Sequence, residues 1–129
     1  MNRRIRACVA LACASLASNA ALAEALTDSE AKHLFGAYGC NACHAVDEAR
    51  IGPPYRAVAA RYLGSAQAEL DAWLATKIRL GGAGSWGFVP MVANPRISHA
   101  DALAIAHWIL ALERDAQRRP GARAAGATE

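Results

Sequence analysis

Apolar residues recur along this chain with the period of an α-helix. Between Asp28 and Tyr38 they fall at Ala31, Leu34, Phe35 and Tyr38, a single stripe at i, i+3, i+4 and i+7. Thr27-Asp28-Ser29-Glu30 stands before that stripe as a capping box, with side chains able to satisfy orphan amides at the helix start. The pattern predicts a first helix over Asp28–Tyr38, stopped at Gly39. Gly52-Pro53-Pro54 cannot continue a helix, and Tyr55 to Leu63 then reads as a short one ended by Gly64. Ser65 is the expected cap of a third helix over Ala66–Leu80, with Leu70, Trp73, Leu74 and Ile78 on one face and Gly81 beyond its end. Ser98 and Asp101 suggest a second capping box, followed by the stripe Ile105, Trp108, Ile109 and Leu112. Four helices and no strand result. Beyond Glu113 the chain is rich in Arg, Ala and Gly, with Pro120-Gly121 and little apolar bulk, so residues 113–129 read as a frayed or disordered tail.

The first residues follow a different grammar. Arg3, Arg4 and Arg6 form a positive n-region, Ala7 to Leu16 an apolar h-region, and Ala21-Leu22-Ala23 a small-residue cleavage site. Residues 1–23 are therefore expected to be an export signal, with the mature chain starting at Glu24 and a single domain over 24–112. Ser15, Ser18 and Asn19 interrupt the apolar run well short of the roughly 20 residues a membrane span requires. Arg3-Arg4 is followed by Ile5, Arg6 and Ala7 and not by an apolar pair, which favours general secretion over the twin-arginine route. Ala10-Leu11-Ala12-Cys13 is a poor lipoprotein box, lacking Leu three residues before Cys, so no lipid anchor is expected.

Signal removal changes the charge and the cysteine count. The full chain carries 14 basic and 11 acidic residues, net +3, but its three signal arginines depart on cleavage and leave 11 against 11. A near-neutral mature protein has no electrostatic basis for nucleic-acid binding. Cys8 and Cys13 leave too, so Cys40 and Cys43 are the remaining thiols and no other cysteine is present to pair with them. Roughly 106 residues remain, a modest core that a buried cofactor would enlarge.

Those two thiols carry the chemistry. Cys40-Asn41-Ala42-Cys43-His44 places two thiols three positions apart with an imidazole immediately after, the arrangement that forms two thioethers to porphyrin vinyl groups and carries the histidine under the ring to the iron. A thioredoxin-like pair needs a βαβ setting, and a zinc site needs two more ligands at short spacing; neither context is present. One motif means one haem. Haem is attached in this way outside the bacterial cytoplasm, in agreement with the export signal. Met91 is the one methionine remaining in the mature chain, on a loop that begins Gly81-Gly82-Ala83-Gly84 and ends Val89-Pro90-Met91, where its thioether can close the sixth iron position. His33, His99 and His107 are alternative sixth donors on predicted helices. Tyr38, Tyr55 and Tyr62 read as core or pocket aromatics. No Gly-Lys-Ser/Thr follows the glycines and no strand precedes them, so they are expected to cap the helix and let backbone pass close to the porphyrin rather than cradle phosphate.

Cys40-Asn41-Ala42-Cys43-His44, Gly52-Pro53, Gly84-Ser85-Trp86-Gly87-Phe88-Val89-Pro90-Met91 and the Trp108 helix together resemble the short class I cytochromes c of the bacterial periplasm, over roughly Leu26 to Leu112. The resemblance implies an all-α class I cytochrome c fold, with about four helices around one covalent haem c and the first and last helices crossing. It implies His44 and Met91 as axial ligands. It further implies that the Pro53 carbonyl accepts a bond from His44, that Lys77 and Trp86 bond a propionate, and that Asn94 bonds near the Met91 sulfur. Lys77 departs from the arginine often found in the family and offers a point charge instead of a fork.

The function this implies is one-electron transfer, with iron cycling between Fe(II) and Fe(III), and not enzymatic catalysis. Partners would be other redox proteins, such as a periplasmic reductase, a dehydrogenase or a terminal oxidase. Two other roles compete: a dedicated haem subunit of a periplasmic dehydrogenase, which would co-purify with a larger chain, and a haem enzyme or gas sensor, which would require Met91 to be off the iron.

Overall fold

The computed structural model describes residues 25–119. It contains four α-helices: α1 (Asp28–Ala37), α2 (Tyr55–Arg61), α3 (Gln67–Leu80) and α4 (His99–Arg118), with a single 3-10 turn at Cys40–Ala42. The described residues form no strand, only one isolated antiparallel bridge between Gly82 and Met91. No helix among them is long and apolar enough to cross a membrane. The signal and cleavage site expected over residues 1–23, with Cys8 and Cys13, lie outside the described residues, as does the last part of the expected tail.

Local chemistry sets the helix ends. Thr27 closes α1 with the full capping box, its hydroxyl accepting from the Glu30 amide at 3.3 Å and its own amide donating to the Glu30 carboxylate at 2.8 Å. Gly39 turns the chain in the left-handed region at φ 72°, ahead of the 3-10 turn that begins at Cys40 and is followed at once by Cys43. Gly81, at φ 71°, ends α3 with its amide bonded to the Lys77 carbonyl.

Some predicted ends differ. Helix α2 stops at Arg61, before Leu63. Ser65 caps nothing: α3 begins after Ala66, with no side-chain cap. Ser98 does accept from the Asp101 amide at 3.0 Å, but the Asp101 carboxylate does not return the bond and instead receives the Tyr38 hydroxyl at 2.6 Å. The last helix also runs past Leu112 to Arg118, so residues 113–118 of the expected tail are helical. The physical reason is Glu113, buried against the body, where the Arg56 guanidinium reaches it at 3.5 Å while also holding Asp47 at 2.7 Å. That pairing raises the Arg56 pKa, first through the bond to Asp47.

Helix α4 is the spine. Its buried face, from Ala102 through Ile105, Trp108 and Ile109, packs on α2 and α3, and α1 crosses it. The crossing is built from rings: Phe35 lies 4.6 Å from Tyr55 and 5.3 Å edge-on to Trp108. The Trp108 indole donates to Asp28 at 3.1 Å, so the core's largest side chain is satisfied by the first turn of α1. Trp73, expected on the apolar face of α3, is 42 % exposed and meets Tyr62 edge-on at 5.2 Å.

Candidate haem pocket

Between these helices lies a cavity of about 610 Å³. Cys40, Cys43 and His44 line one side of it, Met91 belongs to the same lining, and Val58, Leu74, Ile78, Ile105 and Ile109 supply apolar wall. Pro53, Lys77, Trp86 and Asn94 line it as well, so the residues of the haem motif, Met91 and the supporting residues implied by the resemblance share one cavity. His33, His99 and His107 do not. His107 is bonded through Nδ1 to Asp71 at 2.9 Å on the α3–α4 face.

The His44 ring is held on three sides. Its Nδ1 and the Pro53 carbonyl oxygen are 2.8 Å apart, a bond that leaves Nε2 free for a metal and fixes the ring's rotation. Tyr55 stacks against it at 5.4 Å and 17°. Gly52 closes the remaining side, with its amide bonded to the Cys43 carbonyl at 2.7 Å. Burial raises the Cys40 thiol pKa. Burial, followed by the neighbouring Cys40 sulfur, lifts the Tyr55 phenol well above its ordinary range. Both sulfurs are free thiols, half-buried at the pocket wall, and not a disulfide.

The loop on the other side is tied at its base. The Gly82 amide bonds to the Met91 carbonyl at 2.9 Å, and the Met91 amide to the Gly82 carbonyl at 2.8 Å. Glycine is demanded at 81, where φ is 71° and a Cβ would stand 2.3 Å from the Met91 carbonyl oxygen, a backbone atom that cannot step aside. One N–H of the Asn94 side-chain amide donates to the Tyr38 carbonyl at 2.9 Å, and an amide nitrogen carries two donors. That bond ties the chain just after Met91 to the chain just before Cys40.

The residues fit a covalently held haem. Two free thiols and an oriented imidazole share a largely apolar cavity with a thioether, and the lining includes the cations Lys77 and Arg96 but no carboxylate, which suits a porphyrin bearing two propionates. The family model for cytochrome c matches residues 29–113. The chain belongs to the cytochrome c family. This cytochrome c is 43% identical over 79 residues to cytochrome c-551 of Azotobacter vinelandii, covering 61% of this chain and 93% of that one. It is 40% identical over 95 residues to cytochrome c-551 of Pseudomonas aeruginosa, covering 74% and 88%. Among solved structures it resembles cytochrome c552 of Nitrosomonas europaea, with a TM-score of 0.60 and 40% identity, covering 63% of this chain and 98% of that one. Its cofactor is haem c with iron, and its work is electron transfer, not enzymatic turnover.

Three features of the pocket escape the sequence. Gly52 is needed for the space it leaves to His44, Arg96 joins the lining, and Arg61 lies with its guanidinium over the Trp86 ring at 4.7 Å. The Gly52-Pro53 pair is the one local signal among them. Arg61 and its partner are far apart in sequence, and no short pattern links them.

Proposed function

We propose that this chain is exported to the periplasm and works there as a freely diffusing carrier of single electrons, with Cys40 and Cys43 stapled to the haem and the iron held between His44 and Met91. The observation that carries this reading is the meeting, in one apolar cavity, of both thiols and the His44 ring with the thioether-bearing loop. Periplasmic location rests on the n-region, h-region and cleavage site over residues 1–23, together with a motif whose haem attachment takes place outside the cytoplasm.

When bound, haem supplies the one-electron Fe(II)/Fe(III) couple. The polypeptide's share is to hold and tune it. Pro53 holds His44 by Nδ1, which raises the basicity of Nε2. Met91, whose backbone is anchored at Gly82, would offer its sulfur as a second ligand and so deny the iron to oxygen or peroxide. The aliphatic wall would shield the group from water, and Lys77, Arg96 and the Trp86 indole, all on the lining, would supply donors to its propionates. Axial identity outweighs the rest, since haem potentials span roughly 0.8 V with ligation and surroundings, while an exposed ion pair contributes about 0–1 kcal/mol.

Protein from a host competent in haem attachment is expected to keep its pigment after denaturation, with the added mass of one haem. Ferric protein should show a sulfur-to-iron charge-transfer band. Met91→Ala should abolish that band, lower the potential and open the iron to small ligands; an unchanged potential and spectrum reject Met91 as ligand. Recovery from periplasm in a fixed ratio with a larger catalytic chain would assign the dehydrogenase-subunit role instead.

A further inference from the structure

We infer that Arg61 is a positioning residue that pins the Gly82–Met91 loop closed over the pocket. The inference rests on the proposal that Met91 is the iron's sulfur ligand. Two hydrogen bonds tie the loop where Gly82 meets Met91, but they hold its base and not its tip. The tip is poorly supported: Gly84 and Gly87 adopt φ of 86° and 106°, and Phe88 and Val89 are exposed at 104 % and 63 %. Among the described residues, one hydrogen bond joins residues 83–90 to the rest of the chain, from the Arg61 guanidinium to the Ser85 carbonyl. The same guanidinium lies 4.7 Å over the Trp86 ring and 5.9 Å from the Tyr62 ring centre.

A planar guanidinium can donate along its edge and stack on its face at the same time, which an ammonium cannot do. Arg61 is delivered by the last turn of α2, where a cation is favoured by the helix dipole, and α2 is packed on α4. The clamp therefore joins a rigid element to a glycine-rich one. A loop whose tip is held at one point opens and closes locally, without global unfolding, and its closed fraction sets how often sulfur is lost from the metal.

The test is an imidazole titration of the ferric holoprotein, followed by loss of the sulfur-to-iron charge-transfer band. Imidazole competes only when the loop is open, so its apparent affinity scales with the open fraction. Removing an exposed cation–π contact and a hydrogen bond should raise that affinity about three- to tenfold in Arg61→Gln. Arg61→Lys, which keeps the charge without the fork, should fall between Arg61→Gln and the unsubstituted protein. The thermal midpoint of the helical signal should change little in either variant. An Arg61→Gln affinity within about twofold of the unsubstituted protein overturns the clamp, and so does a rise matched by equal loss of global stability. A starting spectrum with no charge-transfer band in the unsubstituted protein instead overturns the Met91 assignment and the clamp with it, so the first spectrum separates the two failures.

Discussion

His44 leaves no room for a side chain at position 52. A Cβ on Gly52 would stand 2.3 Å from His44 Cε1 and 2.8 Å from both ring nitrogens. The ring cannot retreat, because Tyr55 stacks on it and the Pro53 carbonyl holds Nδ1. The glycine is thus a spatial requirement of the imidazole and not merely a helix-breaking residue.

Gly52→Ala should therefore displace the imidazole and destabilise the holoprotein by about 1–3 kcal/mol, the usual cost of overpacking. Thermal unfolding measures the loss. The ferric spectrum should shift at the same time, because the ring's orientation toward the metal changes. An alanine variant with native stability and spectrum would show that the loop carrying Gly52 can move aside.

Phe35 is 2 % exposed and meets both Tyr55 and Trp108 where α1 crosses α4. Phe35→Ala should cost about 3–5 kcal/mol, from lost burial and the cavity left behind. Denaturant unfolding would register this as a lower midpoint. Phe35→Leu should recover much of the loss, since it restores volume without the ring contacts.

Tyr38 gives its hydroxyl to Asp101, and that bond raises the phenol's pKa. The folded state thus holds the proton more tightly than the unfolded chain does, where the group titrates near its ordinary value of 10.0. The stabilisation is fully present below that pH and is lost as pH rises through the higher folded value. Melting temperature should accordingly fall on the alkaline side of pH 10. Tyr38→Phe should flatten that alkaline decline while starting from a lower plateau. An equally steep decline in Tyr38→Phe would place the alkaline transition on another group.

Glu113 lies buried beside Arg56, which also holds Asp47. Glu113→Ala should cost on the order of 1–2 kcal/mol, the worth of charge-assisted hydrogen bonds at a partly exposed pair. Hydrogen exchange should report the loss first in the amides of residues 113–118. Unchanged protection there would mean that the end of α4 is held by other contacts.

The helices, the haem motif and the methionine loop are all written in short stretches of sequence, and this is why they can be read there. A capping box acts over three residues, an amphipathic stripe over seven, and a left-handed glycine at a single position, so Thr27, Phe35, Gly39 and Gly81 announce their roles locally. Cys40, Cys43 and His44 do so as well, because covalent attachment needs their exact spacing.

Side-chain partners are different. Ser98 and Asp101 have the spacing of a reciprocal cap, but the fold brings the Tyr38 hydroxyl to the Asp101 carboxylate and the cap is left one-sided. Asn94 follows Met91 closely, and the fold brings one N–H of its amide to the carbonyl of Tyr38, which precedes the haem motif. Arg61 looks like an ordinary surface cation until Trp86 lies beneath it, and Glu113 looks like the start of a tail until Arg56 covers it. Each of these pairings joins residues tens of positions apart and exists only once the helices and the loop after α3 have packed together. Periodicity is a property of neighbours along the chain, whereas the choice among several available hydrogen-bond partners depends on which of them the packed helices bring within about 3 Å.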